Sequence, residues 1–269
     1  MPRNRVRITP PRLILFAKVP LKGQVKTRIA QSVGKGRATE ICRAMLSGFI
    51  ARLRSLKRKW QVELHFTPRD QEALLAPDVP PWLIRVPQVE GDLGARMAAA
   101  FANAFACRTE SRDEPSGRFN RGPRGAHGSR QADRNAPVPC IICGTDIPDM
   151  PVTHILEARE KLTTCDLVVG PGTDGGYYLI GLRRPVPQLF ENIPWSTPDV
   201  LSITMERARA LNLVCHTLPA WTDIDTMEDV QAFLDRPPLD VRVGRIQSRI
   251  RATLQGVESP RPHLVEASA

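Results

Sequence analysis

The residues able to do chemistry in this 269-residue chain gather in a few short stretches. "AKVPLKGQVKTR" sets Lys18, Lys22, Lys26 and Arg28 around Gly23. A glycine-bearing turn entering a helix among several cations suits a phosphate, and the same pattern also describes a solvated basic loop. It is not a Walker A loop, because Val25 stands where that pattern needs glycine before Lys-Thr. "VPQVEGDLGARM" offers Gln88, with a donor and an acceptor for a base edge, and Gly91 and Gly94, which let backbone approach a planar ligand. Asp92 is placed to cap the helix that follows. "GTDIPDM" puts Asp146 straight after the apolar run Cys140, Ile141, Ile142, Cys143, where a buried carboxylate costs several kcal/mol unless it has a partner. "PAWTDIDTMEDV" brings Asp223 and Asp225 to the start of a helix, which Asp225 could simply cap, with Glu228 completing a capping box. If instead Asp146 and Asp225 meet, two carboxylates suit a hard cation such as Mg²⁺ or Mn²⁺, completed by diphosphate oxygens and water.

A further stretch, "GPGTDGGYYLIGL", sets Asp174 ahead of Gly175, Gly176 and Tyr177. The glycines open space beside a carboxylate, and an aromatic ring beside it suits a sugar face. Asp174 is therefore a candidate to orient or deprotonate an acceptor hydroxyl, with Tyr177 and Trp195 of "IPWST" lining the acceptor pocket. Packing around a tight turn is the plainer alternative, and strand alternation favours it for Tyr178.

These stretches need a scaffold, and the hydrophobic pattern supplies one. Period-two or continuous apolar runs predict strands over 12–17, 61–67, 82–86, 138–143, 166–170, 175–182 and 213–217. Helical spacing marks 37–56, 93–106, 152–162, 199–211 and 226–235. Strands alternating with helices predict an α/β three-layer sandwich around a mostly parallel sheet, with ligands at the carboxyl ends of the strands. The loops after 17, 86, 143, 170 and 217 should then converge on one site.

Charge separates body from tails. The formal net charge is +10. Residues 1–12 carry four Arg and no acid, 108–139 seven Arg against four acids, and 236–269 six Arg against three. The remainder balances at 21 basic and 21 acidic residues, which argues against a nucleic-acid-binding face on the body and leaves the tails for weak polyanion contacts. The Gly, Pro, Ser and Arg-rich segment 108–139 reads as a disordered insertion in a domain spanning 13–235, and 236–269 as a flexible basic tail in which "VGRIQSRIRATL" could form a short helix. No run of about 18 apolar residues predicts a membrane span, and the expectation is a soluble cytoplasmic protein. The six cysteines read as reduced core residues, and Cys140 and Cys143 form a single CxxC without a second pair, which argues against zinc. "RLRSLKRKW" reads as a solvated helix end.

In this order, "FAKVPLKGQVKTR", "GDLGARM", "GTDIPDM", "GPGTDGGYYLIGL", "LFENIPWSTPDV" and "TDIDTMEDV" resemble the DUF2064 family of GT-A-type transferases, over about residues 13–235. That group is named for its association with radical-SAM and selenodomain proteins and for an arsenosugar-biosynthesis glycosyltransferase. The resemblance implies the GT-A fold and a nucleotide-diphosphate ligand. It implies Asp146 and Asp225 as metal ligands with Asp223 auxiliary, Lys18, Lys26 and Arg28 on the phosphates, and Gln88 and Gly91 on the base, with Gly23 and Thr145 completing the nucleotide site. The leading expectation is glycosyl transfer from a nucleoside-diphosphate sugar to a small-molecule acceptor, with Lys26, Arg28 and Asp174 catalytic and Gly175, Gly176, Tyr177 and Trp195 on the acceptor. Two alternatives stand beside it: nucleotidyl transfer from a triphosphate to a phosphorylated small molecule, and a polyanion- or partner-binding module working through the Arg-rich segments.

Overall fold

The structure, a computed structural model, describes residues 10–106 and 138–256. The expectations for residues 1–9, for most of the 108–139 insertion and for 257–269 lie outside those residues. Among the described residues seven strands form one sheet: β1 (Arg12–Lys18), β2 (Gln61–Thr67), β3 (Ile84–Pro87), β4 (Cys140–Gly144), β5 (Leu167–Pro171), β6 (Tyr177–Leu182) and β7 (Cys215–Thr217). Their order is β3-β2-β1-β4-β6-β5-β7, and every pairing is parallel except those of β6 with β4 and β5.

Alternation along the strands explains the layering. Leu13, Leu15, Leu64, Phe66, Ile141 and Cys143 face one side, where α1 (Thr27–Arg52) and α3 (Val152–Lys161) cover them. Ile14, Cys140, Ile142, Val169 and Ile180 face the other, under α2 (Leu93–Ala106) and α4 (Val200–Ala210). Cys140 and Cys143 thus lie on opposite faces of the sheet and cannot share a metal, and the five described cysteines are all free thiols. Tyr177 and Tyr178 divide between the faces in the same way.

Three expectations need correction. The first helix begins ten residues earlier than its spacing predicts, because Gly34, at φ 84°, breaks the helical pattern that would have revealed its start. In the "RLRSLKRKW" segment Arg52 is buried, not solvated: Nη1 donates to the carbonyls of Pro148 and Met150, each at 2.8 Å, and Nε to Asp240 at 3.1 Å.

The third concerns the supposedly flexible C-terminal tail. Its residues 241–255 form α6 (Val241–Gln255), capped by Asp240, whose carboxylate accepts from the amides of Arg242 and Val243. Val243, Ile246 and Ile250 bury one face of α6 against Ile41 and Met45 of α1 and Phe233 of α5 (Met227–Asp235). At Gly48 a side chain would run into Ile246, so glycine sets the close approach of α1 and α6. The short helix expected in "VGRIQSRIRATL" is thus present, and what the arginines hid is that its apolar stripe packs into the core. Ile246→Ala should therefore lower stability by about 3 kcal/mol in a urea unfolding titration, as expected for a buried aliphatic side chain. An unchanged midpoint would mean that α6 is not part of the core.

Candidate active site

The strand ends do converge. A cleft of about 800 Å³ opens at the carboxyl ends of β1, β4 and β5 and takes its walls from the loops that follow them. At its floor Lys26 occupies the N-cap position of α1 in left-handed backbone, φ 48° and ψ 48°, uncommon for a residue with a side chain. That backbone delivers the ammonium between two loops: Lys26 Nζ lies 3.0 Å from Asp146 Oδ2 and 2.6 Å from Asp225 Oδ1. The lysine side chain is 5% exposed, whereas the two carboxylates are 49% and 47% exposed. Burial alone would lower the lysine's pKa, but the two carboxylates and their hydrogen bonds outweigh it and hold the ammonium charged well above its ordinary range.

Asp146 is thus half-exposed and paired, and the buried carboxylate of "GTDIPDM" is Asp149. Its Oδ1 accepts from Trp221 Nε1 at 3.0 Å and its Oδ2 pairs with Arg236 Nη1 at 3.1 Å. Together with the amide of Ile224, which donates to the carbonyl of Asp146 at 2.9 Å, these contacts clamp the loop carrying Asp146 to the loop carrying Asp225. Arg52 anchors the same loop from below through Pro148 and Met150. Asp225 is not the helix cap: Thr226 fills that role, and its box partner is Asp229 rather than Glu228. The carboxylate of Asp225 is left to face the cleft.

Lys18, Lys26, Arg28, Gln88, Thr145, Asp146, Asp174, Gly176, Tyr177, Trp195 and Asp225 all line this cleft, as does Asp223. Gly23, Gly91 and Gly175 do not; they shape the backbone behind it, each at positive φ. A side chain at Gly175 would strike the carbonyl of Pro198, and the Gly175 carbonyl accepts from the amide of Leu201 at 2.9 Å, which fixes this turn to α4. The spacing Gly170, Gly172, Gly175 is that of a dinucleotide turn, yet the segment joins β5 to β6 with no helix, so it has no such role. Gln88 keeps less freedom than expected, since its Nε2 donates to the His65 carbonyl at 2.8 Å and Oε1 lies 3.4 Å from Arg96 Nη1. Thr145 turns its hydroxyl to the carbonyl of Phe16. Asp92 caps α2 as expected, accepting from the Ala95 amide at 2.8 Å. Asp174 Oδ1 accepts from the Gly176 amide at 3.0 Å, while Tyr177 packs toward Met97, its hydroxyl 4.0 Å from the sulfur.

Sequence reasoning passed over three participants. Arg96 lines the cleft with its Nε buried and unpartnered among the described residues, as is Trp195 Nε1 across the close contact at Gly94. Cys42 also lines it, but burial, with Asp146 next, pushes its thiol up to about 12, so it is no thiolate nucleophile. Asp149 carries no local signal of its role in "GTDIPDM", because only the fold brings Arg236 and Trp221 beside it. At Asp223, the auxiliary carboxylate that the resemblance implies, burial, then repulsion from Asp225 and Asp174, raises the pKa to about 6.

A family model described as "Uncharacterized protein conserved in bacteria (DUF2064)" matches residues 51–197. The chain belongs to this family. The DUF2064 match includes Gln88, Asp146, Asp174 and Trp195, while Lys26 and Asp225 fall on either side of it. Among curated proteins, none matches. A solved structure from Desulfovibrio desulfuricans G20, described as a candidate nucleotide-diphospho-sugar transferase, is 25% identical, with a TM-score of 0.70 over 93% of this chain and 98% of that one. Rv0371c from Mycobacterium tuberculosis H37Rv is 12% identical over 84% of this chain and 98% of its own, with a TM-score of 0.48. An inositol-1-phosphate CTP transferase from T. maritima is 13% identical over 93% of this chain and 98% of its own, at 0.42. The first of these shows that this DUF2064 chain has the nucleotide-diphospho-sugar transferase fold, as expected for the GT-A class. No helix among the described residues is long and apolar enough to cross a membrane.

The residues present fit a divalent cation of the Mg²⁺ or Mn²⁺ kind. Among the described residues no group of three or more His, Cys, Asp and Glu side chains is arranged for a metal. Asp146 and Asp225 nonetheless converge on one point already held by a cation, the lysine ammonium, and two carboxylates are what such a metal takes from protein when a diphosphate supplies the rest. The clamp beneath them is testable. Asp149→Ala strands the indole N–H and removes the partner of the half-exposed Arg236 guanidinium, and should cost about 2 kcal/mol in chemical unfolding. It should also alter the tryptophan emission. A loss below about 0.5 kcal/mol would show that the loops are held by other contacts.

Proposed function

We propose that the protein is a metal-dependent glycosyltransferase that takes a nucleoside-diphosphate sugar as donor and a hydroxyl-bearing small molecule as acceptor. The observation that carries this reading is the meeting of Asp146, Lys26 and Asp225 at the strand ends, in a cleft also lined by Lys18 and Arg28. The likeness to the D. desulfuricans protein and its description supports the same class.

In this reading Lys18, Lys26 and Arg28 hold the diphosphate. Negative charge grows there as the bond from the sugar carbon to the diphosphate oxygen breaks, and fixed cations stabilise it with little reorganisation. Asp146 and Asp225 would hold Mg²⁺ or Mn²⁺, which would further neutralise the leaving diphosphate when bound. Tyr177 and Trp195 form the wall against which sugar and acceptor lie. Asp174, with Oδ1 tied to the Gly176 amide, has Oδ2 for the acceptor hydroxyl; that oxygen bonds to the sugar carbon and its proton passes to the carboxylate.

Nucleotidyl transfer is the second reading, favoured by one feature. Lys18, Arg28 and Arg96 line the cleft without a carboxylate partner among the described residues, a positive wall that suits a triphosphate as well as a diphosphate. In that case a phosphorylated substrate attacks the α-phosphorus and pyrophosphate leaves.

Melting temperatures against nucleoside diphosphates, triphosphates and diphosphate sugars, each with and without Mn²⁺, test the proposal. One nucleotide series should stabilise the wild type, by about 2.7 kcal/mol at a hundredfold excess over Kd, and should fail to stabilise Asp146→Ala. Turnover of the responding ligand should release a nucleoside diphosphate; release of pyrophosphate would transfer the assignment to nucleotidyl chemistry. Indifference to every nucleotide would refute both.

A further inference from the structure

The position where two carboxylates would hold a metal contains an ammonium that belongs to the chain itself. It donates a hydrogen bond to Asp225 Oδ1 at 2.6 Å and forms an ion pair with Asp146 Oδ2 at 3.0 Å, so one oxygen of each carboxylate is already occupied by a cation. Two cations do not share that point: a metal bonded to the same oxygens would stand within contact distance of Nζ, where like charges repel strongly in a partly buried site. The lysine is 5% exposed and lies beneath the carboxylates, which are open to the cleft at 49% and 47%. A metal can therefore approach the carboxylates from the cleft, but it cannot settle between them until the ammonium moves.

We propose that Lys26 is the resting occupant of the Asp146–Asp225 cation position, and that a divalent metal takes this position only when a diphosphate draws the ammonium away. The backbone of Lys26 need not change for this. Its carbonyl remains in the first hydrogen bond of α1, to the Ala30 amide at 2.9 Å, while its flexible four-carbon stem re-aims the charge. The destination lies within the same cleft, whose lining already includes the cations Lys18 and Arg28. An incoming diphosphate exchanges its own oxygens for the lost carboxylate contacts, and the metal it carries restores positive charge between Asp146 and Asp225. Metal and diphosphate then bind cooperatively, because each removes the obstacle to the other. Without diphosphate, the carboxylates stay neutralised internally and the cleft does not collect free metal.

This rests on the function proposed above, and the test separates the two. Mn²⁺ alone, followed by the EPR signal of the free ion, is titrated into folded wild type, Lys26→Arg, Lys26→Gln and the double variant Lys26→Gln, Asp146→Asn. Glutamine retains amide donors for the two carboxylates without the charge, and circular dichroism checks that each variant is folded. Wild type and Lys26→Arg should take up Mn²⁺ weakly. Lys26→Gln should bind it at least about tenfold more tightly, and the double variant should lose that gain.

A second measurement needs no variant: wild type should be stabilised by Mn²⁺ with inorganic pyrophosphate by more than the sum of the two alone. Wild type binding Mn²⁺ as tightly as Lys26→Gln, or folded Lys26→Gln showing no gain, overturns the exchange. If nucleotides with Mn²⁺ still stabilise wild type in that event, the transferase reading survives alone; if none does, both fall.

Discussion

The ion triad of Asp146, Lys26 and Asp225 is the constraint on which the rest of the architecture turns. It ties together the loops after β1, β4 and β7, which lie far apart along the chain. A lone ammonium that is 5% exposed is costly, and so are two neighbouring carboxylates with nothing between them. Each therefore depends on the other two being in place. The sheet order meets that need, because β4 pairs directly with β1 and carries Asp146 to the edge of the Lys26 loop. The segment after β7 runs on beside β5, with the Trp221 amide donating to Pro171 at 2.9 Å, and so brings Asp225 across.

The supports beneath the triad are polar, and two of them, Asp149 and Arg52, are buried. Asp149 holds Trp221 and Arg236, while Arg52 holds two carbonyls of the Asp146 loop and reaches Asp240 at the head of α6. The C-terminal helix is thus connected to the cleft through one guanidinium, and its apolar face secures the α1 helix that Lys26 begins. Such a network confers geometry more than stability, since a half-satisfied version would be worse than an apolar one. Strain in the Lys26 backbone belongs to the same pattern, at a residue whose side chain faces the cleft.

Much of this was legible in the sequence. The alternation of Leu13, Leu15 and Ala17 with Ile14 and Phe16, and the apolar run at 140–143, mark buried strands because a sheet covered on both faces excludes polar side chains. The rule that strand ends converge offered the meeting of Asp146 with Asp225 as one of two readings, beside Asp225 as a helix cap. What stayed hidden depends on distance along the chain. The Lys26–Asp225 bond spans 199 residues, and nothing local to either residue announces it. Asp149 looks no different from Asp146 until Arg236 is placed beside it. Thr226, not Asp225, caps α5 because the choice turns on a single residue of register, which propensity does not resolve. The helix of α6 showed in its spacing, but its docking on α1 and α5 did not, because arginines dominate the segment.

One measurement bears most directly on the account: an anomalous difference map from crystals grown with Mn²⁺ and the nucleoside diphosphate that best stabilises the protein. A manganese peak is expected about 2.2 Å from carboxylate oxygens of both Asp146 and Asp225, with the Lys26 ammonium moved onto the diphosphate. A bound nucleotide with Lys26 still between the two carboxylates, and no peak beside them, would contradict it.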